Sequence, residues 1–77
     1  MVAEAKKIVD DILKQVGRNI RHQRKAAGLS QEKLGFLCGL HRTYVGAIER
    51  GEENPSVKTL EKIAIALQVS VRDLFDG

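Results

Sequence analysis

Two side chains at the head of one short stretch are the strongest candidates for recognition chemistry in this 77-residue chain: Arg42 and Thr43. With the segment from Arg42 to Arg50 read as a helix, Val45 and Ile48 lie three apart on one inward face. Arg42, Thr43, Gly46, Ala47 and Arg50 then face outward or sideways, with Tyr44 near the boundary. A helix reads sequence from the DNA major groove, where each base pair displays its own donor and acceptor pattern. An arginine can hold guanine O6 and N7 together, for about 1 to 3 kcal/mol of discrimination, and a threonine can meet a thymine methyl or a polar base edge. Gly46 and Ala47 would let the groove wall come close.

Covalent and metal chemistry fit less well. Cys38 could be imagined as a nucleophile with His22 or His41, but it stands in an apolar helical register beside Leu34 and Leu37 and lacks a third member. It reads as a core cysteine. One cysteine and two histidines do not complete a zinc site without a carboxylate or a second subunit. No metal, no cofactor and no enzymatic activity are expected.

The candidate helix needs a scaffold, and the stretch from Gly28 to Gly51 carries its punctuation. Ser30 is a helix N-cap, with Leu29 and Leu34 spaced as a hydrophobic staple around it. Gly39, after Cys38, suits the left-handed conformation that stops a helix. A second helix follows to about Arg50, closed by Gly51. Helix, turn and helix over residues 30–50 make a helix-turn-helix.

Composition limits the rest. The length allows one small domain, 43% apolar and 30% charged, with 13 Lys and Arg against 10 Asp and Glu for a net charge of +3. Arg18, Arg21, His22, Arg24 and Lys25 gather without an intervening acid, so one side should be basic. A lone cysteine excludes an internal disulfide, and no signal peptide or membrane span is discernible, so a cytoplasmic location with no membrane partner is expected.

In chain order, residues 3–27 carry a helical stripe of Val9, Ile12, Leu13, Val16 and Ile20, with Ala27 further along. Gly17 within it costs about 1 kcal/mol relative to alanine, which leaves open one long helix or two segments; fraying is expected before Asp10. Asn54-Pro55 marks a turn, and Ser56 caps a helix whose Leu60, Ile63, Ala64 and Leu67 face inward while Ile65 lies off the stripe. Ser70 with Asp73 resembles a capping box, opening a last short helix to Phe75 or Asp76. The predicted fold is all-α with five helices and no strand, a single domain over residues 1–77 in which residues 1–15 form a helical extension.

The segments VGRNIRHQRKAAGLSQEKLG, LHRTYVGAIERG and PSVKTLEKIAIALQVSVRDLF together resemble the DNA-binding domain of the lambdoid phage repressor and Cro family. Within that class, LHRTYVGAIERGEEN is most similar to the controller proteins of restriction-modification systems. The resemblance implies a five-helix, repressor-like fold in which Arg42, Thr43, Tyr44 and Ala47 touch base edges or the nearby backbone. It implies that Gln31 contacts phosphate and buttresses the start of the recognition helix. It places Asn54, Ser56, Val57 and Lys58 at a second phosphate site, where helix-start amides bind anions. Arg24 would pair with Glu49, tying the first helix to the recognition helix. Arg50 is either a helix-end charge or a phosphate ligand, and one residue can serve both.

This chain departs from the family pattern at two positions. His41 stands where relatives often have Thr, Ser or Asp as a cap, so either the helix start is weaker or His41 contacts phosphate; it is counted with the phosphate ligands. Ala47 cannot hydrogen-bond a base, which shifts specificity onto Arg42 and Thr43.

The sequence thus predicts a transcriptional regulator that binds double-stranded DNA as a homodimer on a roughly palindromic operator, the dimer formed mainly by the two C-terminal helices with Ile65 and Phe75 in the seam. With no effector domain in so short a chain, no small-molecule effector is expected. The alternative is an antitoxin-like protein-interaction module of the same fold.

Overall fold

The computed structural model describes residues 2–77; Met1, the first residue of the predicted extension, lies outside the described residues. Four α-helices and a closing 3-10 helix follow one another: α1 (Val2–Ala26), α2 (Gln31–Cys38), α3 (Arg42–Glu49), α4 (Val57–Leu67) and the 3-10 helix Val71–Phe75. No strand occurs among the described residues.

α1 is one unbroken helix through Gly17. The reason for the glycine is steric. A methyl group there would collide with the Ile48 and Glu49 carbonyl oxygens, so α1 lies directly against the end of α3. At about 1.5 Å per residue its 25 residues span roughly 37 Å, and α1 sets the 39 Å long dimension of the molecule.

The core joins every element: Val16 and Ile20 from α1, Leu34 and Cys38 from α2, Val45 and Ile48 from α3, Leu60, Ile63, Ala64 and Leu67 from α4, and Leu74 from the 3-10 helix. Leu29 and Leu40 seal it at either end of α2. The predicted stripe of α1 is buried only in its second half. Val16 is 3% exposed, whereas Val9 and Ile12 are each 46% exposed, because the other elements pack only against the later turns. Ala27 falls beyond the helix and is exposed, not part of the stripe.

The fifth helix is a 3-10 helix. Ser70 and Asp73 form the expected capping box, but the carbonyls of Leu74 and Asp76 accept hydrogen bonds from α1: Asn19 Nδ2 donates to both, at 2.9 and 2.6 Å, and Gln15 Nε2 donates to Asp76 at 3.0 Å. Side chains of α1 thus take up carbonyls that a longer helix would have paired internally.

Candidate nucleic-acid interface

The site begins with local capping. Ser30 Oγ accepts the Lys33 amide at 2.9 Å and starts α2. At its far end Gly39 adopts φ 72°, a left-handed conformation costly for a residue with a side chain, and its N–H reaches back to Gly35 and Phe36. The chain turns sharply and α3 begins three residues later, at Arg42.

His41 caps α3. Its Nδ1 accepts the Thr43 amide at 3.1 Å and lies 2.8 Å from Thr43 Oγ1. A neutral ring that accepts at Nδ1 carries its proton on Nε2, leaving that N–H as the donor on an exposed side chain. The expectation of a poor cap is therefore corrected: the ring supplies the oxygen-like acceptor that Thr, Ser or Asp would supply.

The far end of α3 is anchored by a buried cluster. Arg24 and Glu49 are 8% and 6% exposed and pair through two bonds, Nε to Oε2 at 2.6 Å and Nη2 to Oε1 at 3.0 Å. Arg24 Nη1 also donates to the Leu29 carbonyl at 2.8 Å, so one guanidinium joins the end of α1, the entry to α2 and the end of α3. The hydrogen bonds to Glu49 hold it charged against its burial. Gln31 joins the same cluster, its Nε2 donating to Glu49 Oε1 at 3.1 Å. Gln31 therefore braces the end of the recognition helix, not its start. Gly46 is likewise not outward-facing. It is buried, and a methyl group there would lie about 3.4 Å from Gln31 Oε1 and 3.1 Å from Arg50 Nη1, so the glycine is the bed on which those two side chains rest.

Between cap and anchor, α3 exposes Arg42 and Thr43 and half-exposes Ala47. Tyr44 is half-buried and packs against the core. The two exposed arginines at the ends of the helix are each held by a carboxylate that the sequence did not single out. Arg42 Nη1 donates to Glu32 Oε2 at 3.3 Å, and Arg50 Nε donates to Glu52 Oε2 at 3.0 Å. That second hydrogen bond raises the Arg50 pKa and lowers that of Glu52. Glu32 lies ten positions from Arg42 on a different helix, so only the crossing of α2 and α3 reveals the pair.

At the start of α4, Ser56 Oγ accepts the Thr59 amide at 3.1 Å and is 3.0 Å from Thr59 Oγ1, which commits its hydroxyl to capping. Asn54, Val57 and Lys58 around it are exposed. Ile65 on α4 is 67% exposed and Phe75 47%. Cys38 is buried with its thiol 3.6 Å from the Lys62 carbonyl oxygen, and burial pushes its pKa up, which disfavours the thiolate a nucleophile needs. Among the described residues no group of three His, Cys, Asp or Glu side chains could hold a metal ion, and no helix is long and apolar enough to cross a membrane.

This arrangement has known counterparts. Control protein C.BamHI of Bacillus amyloliquefaciens is 49% identical over 61 residues, which cover 78% of this chain and 75% of that protein. The crystal structure of the restriction-modification controller protein C.AhdI from Aeromonas hydrophila is similar at a TM-score of 0.80 and 49% identity, covering 82% of this chain and 96% of that one. The crystal structure of the biofilm regulator SinR in complex with DNA is similar at a TM-score of 0.75 and 39% identity, covering 79% and 98%. The helix-turn-helix family profile matches residues 20–74, from the last turns of α1 through α2, α3 and α4 into the 3-10 helix. The chain belongs to the helix-turn-helix family.

Proposed function

We propose that this protein is a sequence-specific DNA-binding transcriptional regulator, a homodimer that sets α3 into the major groove at each half of a roughly palindromic operator, and that it is a restriction-modification controller. The observation that carries this reading is the state of α3. It is capped by His41 at one end, anchored by Arg24, Glu49 and Gln31 at the other, and exposes Arg42 and Thr43 at its leading turn. Rigid mounting of a short helix with polar side chains at its N-terminal end is what base readout requires. Similarity to control proteins and to a regulator solved on DNA supports the same reading.

In this proposal Arg42 and Thr43 read bases, Ala47 gives close approach, and Tyr44 lies at the edge of the contact. His41 Nε2, Gln31, Arg50, Asn54, Lys58 and the amides at Ser56 and Val57 meet phosphates, which fix register without selecting sequence. Two copies double the bases read, with recognition helices about 34 to 36 Å apart on successive grooves. The dimer seam includes Ile65 and Phe75. The protein works without catalysis or a cofactor, in the cytoplasm, and its response follows its own concentration rather than a small ligand.

The test is selection from a randomised duplex library, then titration of the winner and a scrambled duplex at two salt concentrations, with Arg42→Ala in parallel. A palindromic winner bound far more tightly than the scramble is expected, with Arg42→Ala losing discrimination while retaining much of the scramble affinity. Equal and strongly salt-dependent binding to both duplexes would reject the operator reading. It would favour the antitoxin-like alternative, whose partner surface would be an apolar patch outside the dimer seam.

A further inference from the structure

We propose that Glu32 is a positioning residue for base recognition by Arg42, an anchor that favours base edges over phosphates. This rests on the operator reading above. The two residues meet between the first turn of α2 and the first turn of α3, with Glu32 Oε2 accepting from Arg42 Nη1 at 3.3 Å. Phe36, Leu40 and His41 line the same shallow surface depression. Both partners are exposed, 75% and 63% by side chain, so the contact does not serve to fill the core.

Two consequences follow from the geometry. A guanidinium carries five N–H donors in a fixed plane, and Glu32 engages only the Nη1 corner. The Nη2 and Nε donors stay available to a base edge while the long side chain is already held in one region, which lessens the rotamer freedom lost on binding. At the same time the carboxylate adds a negative charge beside the recognition helix. It repels any phosphate that approaches Arg42, and an arginine that moves to a phosphate exchanges one ion pair for another with little gain. Both effects weaken binding to arbitrary DNA relative to a site with guanine in place.

The Arg50–Glu52 pair is the internal control. It is local, two residues apart at the opposite end of α3, and engages Arg50 through Nε at 3.0 Å. Arg50 is assigned to the phosphate backbone, so neutralising Glu52 should strengthen attraction to every duplex alike.

The experiment titrates the full chain, Glu32→Gln, Glu52→Gln, Arg42→Ala and the Glu32→Gln/Arg42→Ala double variant. Each meets the selected operator, the operator with the Arg42-dependent guanine replaced, and a scramble. Glu32→Gln is expected to bind the scramble about two- to five-fold more tightly, the scale of one exposed ion pair, and the operator no more tightly. Its preference for the guanine should fall, and that fall should be absent in the Arg42→Ala background. Glu52→Gln should tighten both duplexes equally and leave the ratio unchanged.

A merely structural role for Glu32, as an acid in the first turn of α2, would lower Tm and leave base preference intact. That outcome overturns the proposal. So does a Glu32→Gln ratio equal to that of the unmodified protein, or a loss that persists without Arg42. If the unmodified protein itself fails to distinguish operator from scramble, the operator reading fails and this inference with it.

Discussion

Glu49 is where three elements converge, and its environment makes a sharp demand on Arg24. The pair is buried and bidentate, and Arg24 Nη1 donates to the Leu29 carbonyl, so removing the guanidinium strands a carboxylate out of water. Breaking one side of such a pair costs about 3 to 5 kcal/mol. A domain of this length has on the order of 4 to 12 kcal/mol in all. Arg24→Ala is therefore expected to unfold at markedly lower urea, followed by circular dichroism; a midpoint unchanged from the parent would refute the role. His41 allows cap and contact to be separated. His41→Ala should lose about 1 kcal/mol with the cap, whereas asparagine, a strong cap, should restore stability. If His41→Asn is as stable as the parent yet binds both operator and scramble more weakly, His41 also meets phosphate through Nε2. Equal affinity would confine it to capping. Cys38 provides a further reading: buried and with its thiol pKa raised, it should react with iodoacetamide at neutral pH only as fast as the domain opens, a rate that urea accelerates. Rapid labelling of the folded protein would contradict this.

At the scale of elements, helix starts were legible and some stops were not. Ser30, Ser56 and Ser70 each cap within three residues, a local interaction that residue type and spacing display directly. The α4 stop had no such sign: Gln68 ends it in the left-handed conformation, φ 60°, where glycine is the usual residue. Gln68→Gly should raise stability by about 0.5 to 1 kcal/mol, the strain of a left-handed side chain less the entropy of glycine, and a lower Tm would count against that account. Gly17 shows the opposite limit. Helix propensity alone favours alanine by about 1 kcal/mol. The α3 carbonyls beside it reverse the sign, because overpacking against backbone costs about 1 to 3 kcal/mol and cannot be relieved by a rotamer change. Gly17→Ala is expected to destabilise and, by shifting α1 against the end of α3, to weaken operator binding; a stabilised variant would mean that the helices separate freely. The recognition helix was legible from Val45 and Ile48, whereas the bracing of Gln31 and the anchoring of Arg42 by Glu32 depend on how two helices cross, which no local pattern encodes.

At the scale of the whole molecule, the proposed dimer requires a surface that a second copy can cover. A stable dimer buries about 800 Å² from each partner, roughly 15% of the 5201 Å² accessible here, and a single apolar residue cannot supply it. Ile65 is such an isolated candidate in the sequence, off the buried stripe of α4. Phe75 instead borders an apolar groove of about 260 Å³ shared with Val9, Ile12, Leu13 and Val57, where the exposed half of α1 meets the start of α4. Contiguity with other apolar side chains therefore favours Phe75 over Ile65 as the centre of the proposed seam. Sedimentation of Phe75→Lys should show monomer at concentrations where the parent is dimeric, and Ile65→Lys should shift the equilibrium less. Operator binding by Phe75→Lys should lose its steep dependence on protein concentration while each half-site keeps its base preference, because the mutation lies outside α3. The reverse order of effects would place the seam on α4. A parent that sediments as a monomer at every concentration would remove the two-fold argument, and with it the need for a palindrome.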